Sequence, residues 1–290
     1  MSLVHCSLVY LRPNVIGATV NRPAFESKFF GTRASFKWHS LKNENTHQPS
    51  EGFSVLKSDM PCDSGIIWST MALYVFSLHV PLSFGGLSVV AQMLHQPVLD
   101  PQIEALSILG IQTSELIGML LLLRSTGKPL HKFCGFFQAK ELSIERNWLL
   151  ASAVGFGFLV LLIFLTSLLA DRLIGPKDVN NSTLKEILSS GSISETACFA
   201  VYCIVTPLLE EVAYRGFLLT SLASTMKWQQ AVVVSSAAFS AAHFSGENFL
   251  QLFIIGSILG CSYCWTGNLS SPLLIHSLYN ALILLITSAS

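Results

Sequence analysis

Glu210, Glu211 and Arg215 sit inside "TPLLEEVAYRGFLLTSL", residues 206–222, a stretch otherwise apolar enough to cross a membrane. No other charged side chain occurs between Thr196 and Met226. Left unpaired at the centre of a bilayer helix, each would cost roughly 2.5–3.5 kcal/mol. On an α-helix Glu211 and Arg215, at i and i+4, share a face in the order that favours an ion pair. Glu210 points about 140° around the helix from Arg215 and stays free to meet another element. The three residues therefore suit either of two roles. One is an ion-pair cluster that only holds a bundle together; the other is a site in which Glu210 takes a proton from water.

Two further apolar segments carry polar side chains at helical spacing. "FSAAHF" places His243 one turn after Phe239, and "PLLIHSLYNALILLI" puts His276 and Asn280 at i and i+4 on one face. Taken singly, each has a bland reading: a neutral histidine bonded to a neighbouring helix, or an asparagine acting as packing glue worth roughly 0.6–2 kcal/mol. As a set, a carboxylate pair, a histidine and a histidine–asparagine pair on three segments fit peptide hydrolysis. A glutamate activates water, one histidine orients it, and the second histidine with the asparagine donates to the developing oxyanion.

"EEVAYRG" fits E-E-x-x-x-R, "FSAAH" fits F-x-x-x-H and "HSLYN" fits H-x-x-x-N. In this order on three apolar segments, they resemble the motifs of the CAAX prenyl protease type II and bacteriocin-processing intramembrane protease family. The resemblance covers roughly residues 195–288. It implies a polytopic helical endopeptidase whose catalytic residues are Glu210, Glu211, His243, His276 and Asn280, supported by Arg215 and Phe239. In it Glu210 and His243 activate water, His276 and Asn280 form the oxyanion site, and Glu211 with Arg215 supports the first helix. It also implies a membrane-anchored substrate, prenylated in the members that process CAAX proteins. Upstream of Thr196 no family motif is found, and about seven spans are counted where archetypal members have eight.

Glu210, His243 and His276 also have the ligand types of a catalytic zinc (Zn) site, two imidazoles and a carboxylate. The compact H-E-x-x-H helix is absent. Family members have been described both as metalloendopeptidases and as metal-free, so the two mechanisms stay open. With a metal, Glu211 becomes the base.

These residues need hydrophobic helices to carry them. Ser64–Leu99 contains no Lys, Arg, Asp or Glu, and is expected to break or kink at Pro81 and Gly85-Gly86. Ile103–Leu123 is a second span, with Glu115 inside it; that carboxylate either lines a cavity or pairs with a polar neighbour. His79 and His95 read as structural. Asn147–Ala170 is uncharged throughout. Ser192-x-x-Glu195 has capping-box spacing, which starts a helix near Ile193. Trp228–Phe244, Asn248–Trp265 and Pro272–Ile286 follow, with Gly267 as a helix terminator and Trp265 at an interface. The expected fold class is all-α, a polytopic transmembrane helical bundle of about seven spans. It divides into a leader (1–60), N-terminal transmembrane helices and loops (64–192) and a helical catalytic core (193–288). The basic loop of Arg124, Lys128, Lys132 and Lys140 is expected on the cytoplasmic or stromal side.

Composition agrees with a membrane location. The 290-residue chain is 51% hydrophobic and 12% charged, where soluble domains carry about a quarter charged residues. This charge-poor composition points to the lipid bilayer as a partner, and with a formal net charge of +0 nothing suggests nucleic acid. Cys261 and Cys264 spell C-x-x-C within an uncharged helix and read as packing residues. Residues 1–60 hold seven Lys or Arg and four Asp or Glu, without the apolar centre of a secretory signal. They read either as an organelle transit peptide or as a disordered cytosolic tail. Of the membranes, the plastid (chloroplast) membrane is favoured over the endoplasmic reticulum. Two rival functions remain: a non-catalytic membrane scaffold, and a proton-coupled transporter. Transporters usually show repeated halves, and none is evident.

Overall fold

In lipid every backbone N–H and C=O has to find a partner within the protein, and a helix provides this within one segment. A computed structural model of the chain describes residues 52–56, 64–126, 137, 146–173 and 182–289, which form helices and no strand. Most of the leader, the loop bearing Lys128, Lys132 and Lys140, and part of the loop before Ser192 lie outside the described residues.

Among the described residues, six helices are long and apolar enough to cross a membrane. They are α1 (Ser64–Met93), α2 (Pro101–Ser125), α3 (Trp148–Leu173), α5 (Ser192–Ala223), α7 (Phe249–Thr266) and α8 (Ser270–Ala289). The short α4 (Ser182–Ser189) and α6 (Trp228–Ala242) complete the bundle. The chain is an all-α polytopic bundle and an integral membrane protein. The expected count of about seven spans is corrected by α6. It has 15 residues, about 22 Å at 1.5 Å each, against a hydrocarbon core of roughly 30 Å. On α3, Leu150, Val154, Phe158, Phe164 and Leu169 are exposed, an apolar face suited to lipid.

Neither proline inside a long helix breaks it. A π-helical turn, Val75–His79, ends two residues before Pro81, and another, Val201–Val205, ends two residues before Pro207. Proline lacks an N–H and its ring crowds the carbonyl four residues back. The wider π turn absorbs both defects without opening the helix. At Pro81, where a break or kink is expected, and at Pro207 the helices therefore continue through π turns. The expected capping box at Ser192 also does not form. Gly191, at φ 141°, is the N-cap, and Ser192 already belongs to the helix.

Buried apolar side chains form two cores. One takes Ile67, Met71 and Tyr74 from α1, Met119 from α2, Leu159 from α3, Leu209 to Leu222 from α5, and much of α6, α7 and α8. The other takes Leu87, Ala105, Ile108, residues of α4, Val201 to Cys203, and Leu284. Between them, on each helix that joins both cores, the buried positions turn polar: Ser83 on α1, Gln112 and Glu115 on α2, Thr206 and Glu210 on α5, His276 and Asn280 on α8. The bundle thus carries a polar layer across its interior, and the candidate residues lie in it.

Helices in lipid gain little from apolar burial and associate by close packing. Gly256 and Gly260 on α7 supply it. A Cβ on Gly256 would stand 3.1 Å from the Ser236 Cβ and 3.2 Å from its Cα, and one on Gly260 3.2 Å from Val232. At the far end of α7, Gly267 closes the helix at φ 62°, as its sequence position predicts. Residues 52–56 dock there. Val55 N–H donates to the Cys264 carbonyl at 2.9 Å, and Phe53 stacks on Trp228 with centroids 4.7 Å apart. Arg146 donates to the carbonyls of Gly52 (2.7 Å), Phe53 (2.5 Å) and Trp265 (3.0 Å), with its guanidinium 4.1 Å from the Trp265 ring centroid. Cys261 and Cys264 are free thiols.

Candidate active site

The second half of α5 runs as a π-helical stretch, Glu211–Leu219, a geometry that concentrates at functional sites. It begins at the residue after Glu210. Glu211 accepts from Arg215 at 2.8 Å, the ion pair expected from their spacing. Arg215 is enclosed on its other sides too. It donates to the Gly256 carbonyl at 3.2 Å, and its guanidinium lies 4.5 Å from the Phe239 ring centroid. Close packing of α6 and α7 at Gly256 is what brings that carbonyl within reach.

His276 comes to this pair from α8. Its Nδ1 stands 2.9 Å from the same Glu211 oxygen that accepts from Arg215. A carboxylate paired with arginine only accepts, so Nδ1 carries the proton and donates. Nε2 then faces Glu210, 3.6 Å from Oε2. One imidazole spans two consecutive carboxylates.

His243 reaches the opposite oxygen of Glu210. The residue follows the last turn of α6, and its Nδ1 lies 2.7 Å from the Phe239 carbonyl. A carbonyl only accepts, so here too Nδ1 carries the proton. Its Nε2 lies 3.8 Å from Glu210 Oε1. Phe239 therefore serves twice, through its carbonyl and through its ring. The ring meets His243 edge-on with centroids 4.6 Å apart, and Tyr214 packs edge-on against it at 5.3 Å.

The separations of 3.6 and 3.8 Å exceed a direct hydrogen bond and keep both imidazoles within electrostatic reach of the carboxylate. All these side chains are buried: Glu210 is 4% exposed, Glu211 0%, Arg215 1%, His243 4% and His276 2%. The formal charge of Arg215 with the two glutamates is −1, so one imidazolium makes the cluster neutral. Buried charges are tolerable only in such balance.

Asn280 shares the helix face of His276, as its spacing predicts, and joins α8 to α5. It lies one turn beyond His276, and its amide nitrogen donates to the Tyr202 carbonyl at 2.8 Å, on the π turn of α5. One of its two amide hydrogens is thereby used in joining α8 to α5. Glu115 pairs with polar neighbours. Its Oε1 accepts from the Tyr74 hydroxyl at 2.9 Å and meets His79 Nδ1 at 2.8 Å. His95 is exposed.

The donor types of a zinc site are present, and the Nε2 atoms of both imidazoles turn toward Glu210. Among the described residues, however, no three His, Cys, Asp or Glu side chains are gathered closely enough to hold an ion.

Comparison with known families bears on this geometry. Residues 192–282 match the family model described as Type II CAAX prenyl endopeptidase Rce1-like. The match covers about a third of the chain and agrees with the three motifs that suggested this family. The Rce1-like segment contains Glu210, Glu211, Arg215, Phe239, His243, His276 and Asn280, while His79 and Glu115 lie outside it. No curated protein and no solved structure matches the chain.

Proposed function

We propose that this chain is an intramembrane endopeptidase that hydrolyses peptide bonds of membrane-anchored proteins, with prenylated CAAX-type chains as the substrate class. One observation carries the reading: the buried Glu210 carboxylate lies between two imidazoles, each tied on its Nδ1 side. The family match of residues 192–282 supports the protease class.

In this reading a water molecule sits between Glu210 and His243. His243 Nε2, bare because Nδ1 donates to Phe239, accepts one water hydrogen and orients the oxygen. As that oxygen attacks the scissile carbonyl carbon, Glu210 takes the other proton. His276, its Nδ1–H held by Glu211, carries the neutralising proton on Nε2 and donates it as a hydrogen bond to the oxyanion. Glu211 stabilises that imidazolium, with Arg215 fixing the carboxylate. The second amide hydrogen of Asn280 adds to the same oxyanion. When the C–N bond breaks, Glu210 returns its proton to the leaving amine, and the water oxygen stays in the new carboxylate. Low dielectric around the site strengthens each of these interactions.

The test is cleavage by purified protein in lipid vesicles. Substrates are membrane-anchored peptides ending in C-a-a-X, farnesylated or carrying an alkyl chain of equal length. Cleavage by the wild type, and none by Glu210→Ala or His243→Ala, is expected. Full-rate cleavage by both variants refutes the assignment. Equal cleavage of the two lipid forms removes the prenyl requirement but leaves the protease.

A further inference from the structure

The four C-terminal carbonyls of a helix have no partner within it, and in α6 each can be followed to its donor. His243 N–H donates to Ser240 O at 3.2 Å and Phe244 N–H to Ala241 O at 3.0 Å. The other two acceptors are taken by histidine side chains. Phe239 O is bound by His243 Nδ1 at 2.7 Å, and Ala242 O, the last of the four, by His79 Nε2 at 3.1 Å. His79 belongs to α1, far away in sequence, and lies at the end of the π turn before Pro81.

Because Ala242 O can only accept, His79 Nε2 carries a proton. Its Nδ1 is 2.8 Å from Glu115 Oε1, which also accepts from Tyr74. Either an imidazolium faces a carboxylate, or a protonated Glu115 donates to a neutral ring. In both forms the pair is neutral and holds one proton between the two residues. Glu115 is 0% exposed, so this ring is clamped from both sides inside the protein. Immediately after Ala242 come His243 and then Phe244, whose φ of 51° turns the chain away.

We propose that His79, clamped by Glu115, is a positioning residue for His243: by binding the Ala242 carbonyl it fixes the end of α6 from which the water-orienting imidazole projects. This rests on the endopeptidase reading for its effect on rate, but not for its effect on His243 itself. The arrangement couples α1 and α2, outside the family-matched segment, to the reacting site. No contact between His79 and substrate is required.

Two readouts test it on the full-length protein. The first is kcat and KM on the peptide substrate for His79→Phe, which keeps a ring without the donor, and His79→Gln, which keeps an N–H at the same reach. We expect kcat to fall about 10- to 100-fold in the phenylalanine variant at a KM within about twofold of wild type. Glutamine recovers most of the loss. A residue important only for folding lowers the yield of active protein in both variants and gives no selective recovery. The second readout needs no activity: ring nitrogen resonances of ¹⁵N-histidine-labelled protein, with His243 assigned through His243→Ala. In the wild type His243 shows a protonated Nδ1 and a bare Nε2, and in His79→Phe the signal moves toward a mixture of tautomers. Should His79→Phe not accumulate in the membrane, Glu115→Leu, with His79 retained but unclamped, has to show the same two changes in smaller degree. Wild-type kcat together with an unchanged His243 spectrum, in whichever of these variants folds, overturns the proposal. A moved spectrum in a protein that cleaves nothing upholds the positioning and refutes the endopeptidase reading alone.

Discussion

The imidazole of His276 is bound to Glu211 through Nδ1 at 2.9 Å, and the oxygen that holds it is also the oxygen that accepts from Arg215. Two donors on one buried carboxylate oxygen give Glu211 a task distinct from that of Glu210. One fixes a histidine; the other faces the space between two of them.

From this division the two glutamates are expected to fail in different ways. Glu210→Gln keeps the shape of the side chain but removes the base. Its kcat should drop about 10²- to 10⁴-fold with little change in thermal unfolding. A peptide-cleavage time course and a melting curve on the same preparation check this.

Glu211→Gln leaves Arg215 buried without its charge partner. Breaking a buried pair from one side costs about 3–5 kcal/mol, so a large loss of stability should accompany the loss of activity. The double variant Glu211→Gln/Arg215→Gln is expected to be less destabilised than the sum of the singles. Unfolding in mixed detergent micelles measures the difference.

Gly256→Val places methyl groups where the Ser236 backbone already stands at 3.2 Å from an added Cβ. α6 and α7 have to separate, and the Gly256 carbonyl leaves Arg215. Overpacking of this kind costs about 1–3 kcal/mol. Activity is expected to fall with stability. Ser257, one residue on, is half-buried, and Ser257→Ala is expected to leave the melting temperature near that of the wild type.

Arg146→Ala removes three hydrogen bonds and the stacking on Trp265 that hold residues 52–56. Limited proteolysis should then cut this segment at protease concentrations that leave the wild type intact. The Trp228 fluorescence should change as Phe53 lifts away. Equal resistance to protease in the two proteins contradicts the docking.

How much of this could be read from the residues differs by element. The Glu211–Arg215 pair is a local spacing, and local spacings survive into the structure. The convergence of Glu210, His243 and His276 followed from three motifs on three apolar segments, although spacing within a helix says nothing about which helices meet. The angular argument placed Glu210 and Glu211 on separate faces by assuming 3.6 residues per turn. The structure has π turns there, and a single imidazole meets both. Asn280 shared a face with His276 as expected, yet its amide partner is a backbone carbonyl, which no side-chain motif announces. His79 read as merely structural because its partners lie 36 and 163 residues away. The available hint was a histidine and a proline inside a 36-residue stretch without charge. The short α6 was counted as a span because apolar length was judged up to Phe244, and the helix stops before His243. Gly256 and Gly260 drew no notice in the sequence, and their use in delivering a carbonyl to Arg215 needed the fold.

The segment Gly52–Leu56 sets a boundary on any maturation of the N-terminus. Those five residues close the end of α7 through Cys264, Trp228 and Arg146, so a processing enzyme that trims the chain has to cut ahead of Gly52. A cut further along would strip a built-in brace from the folded protein.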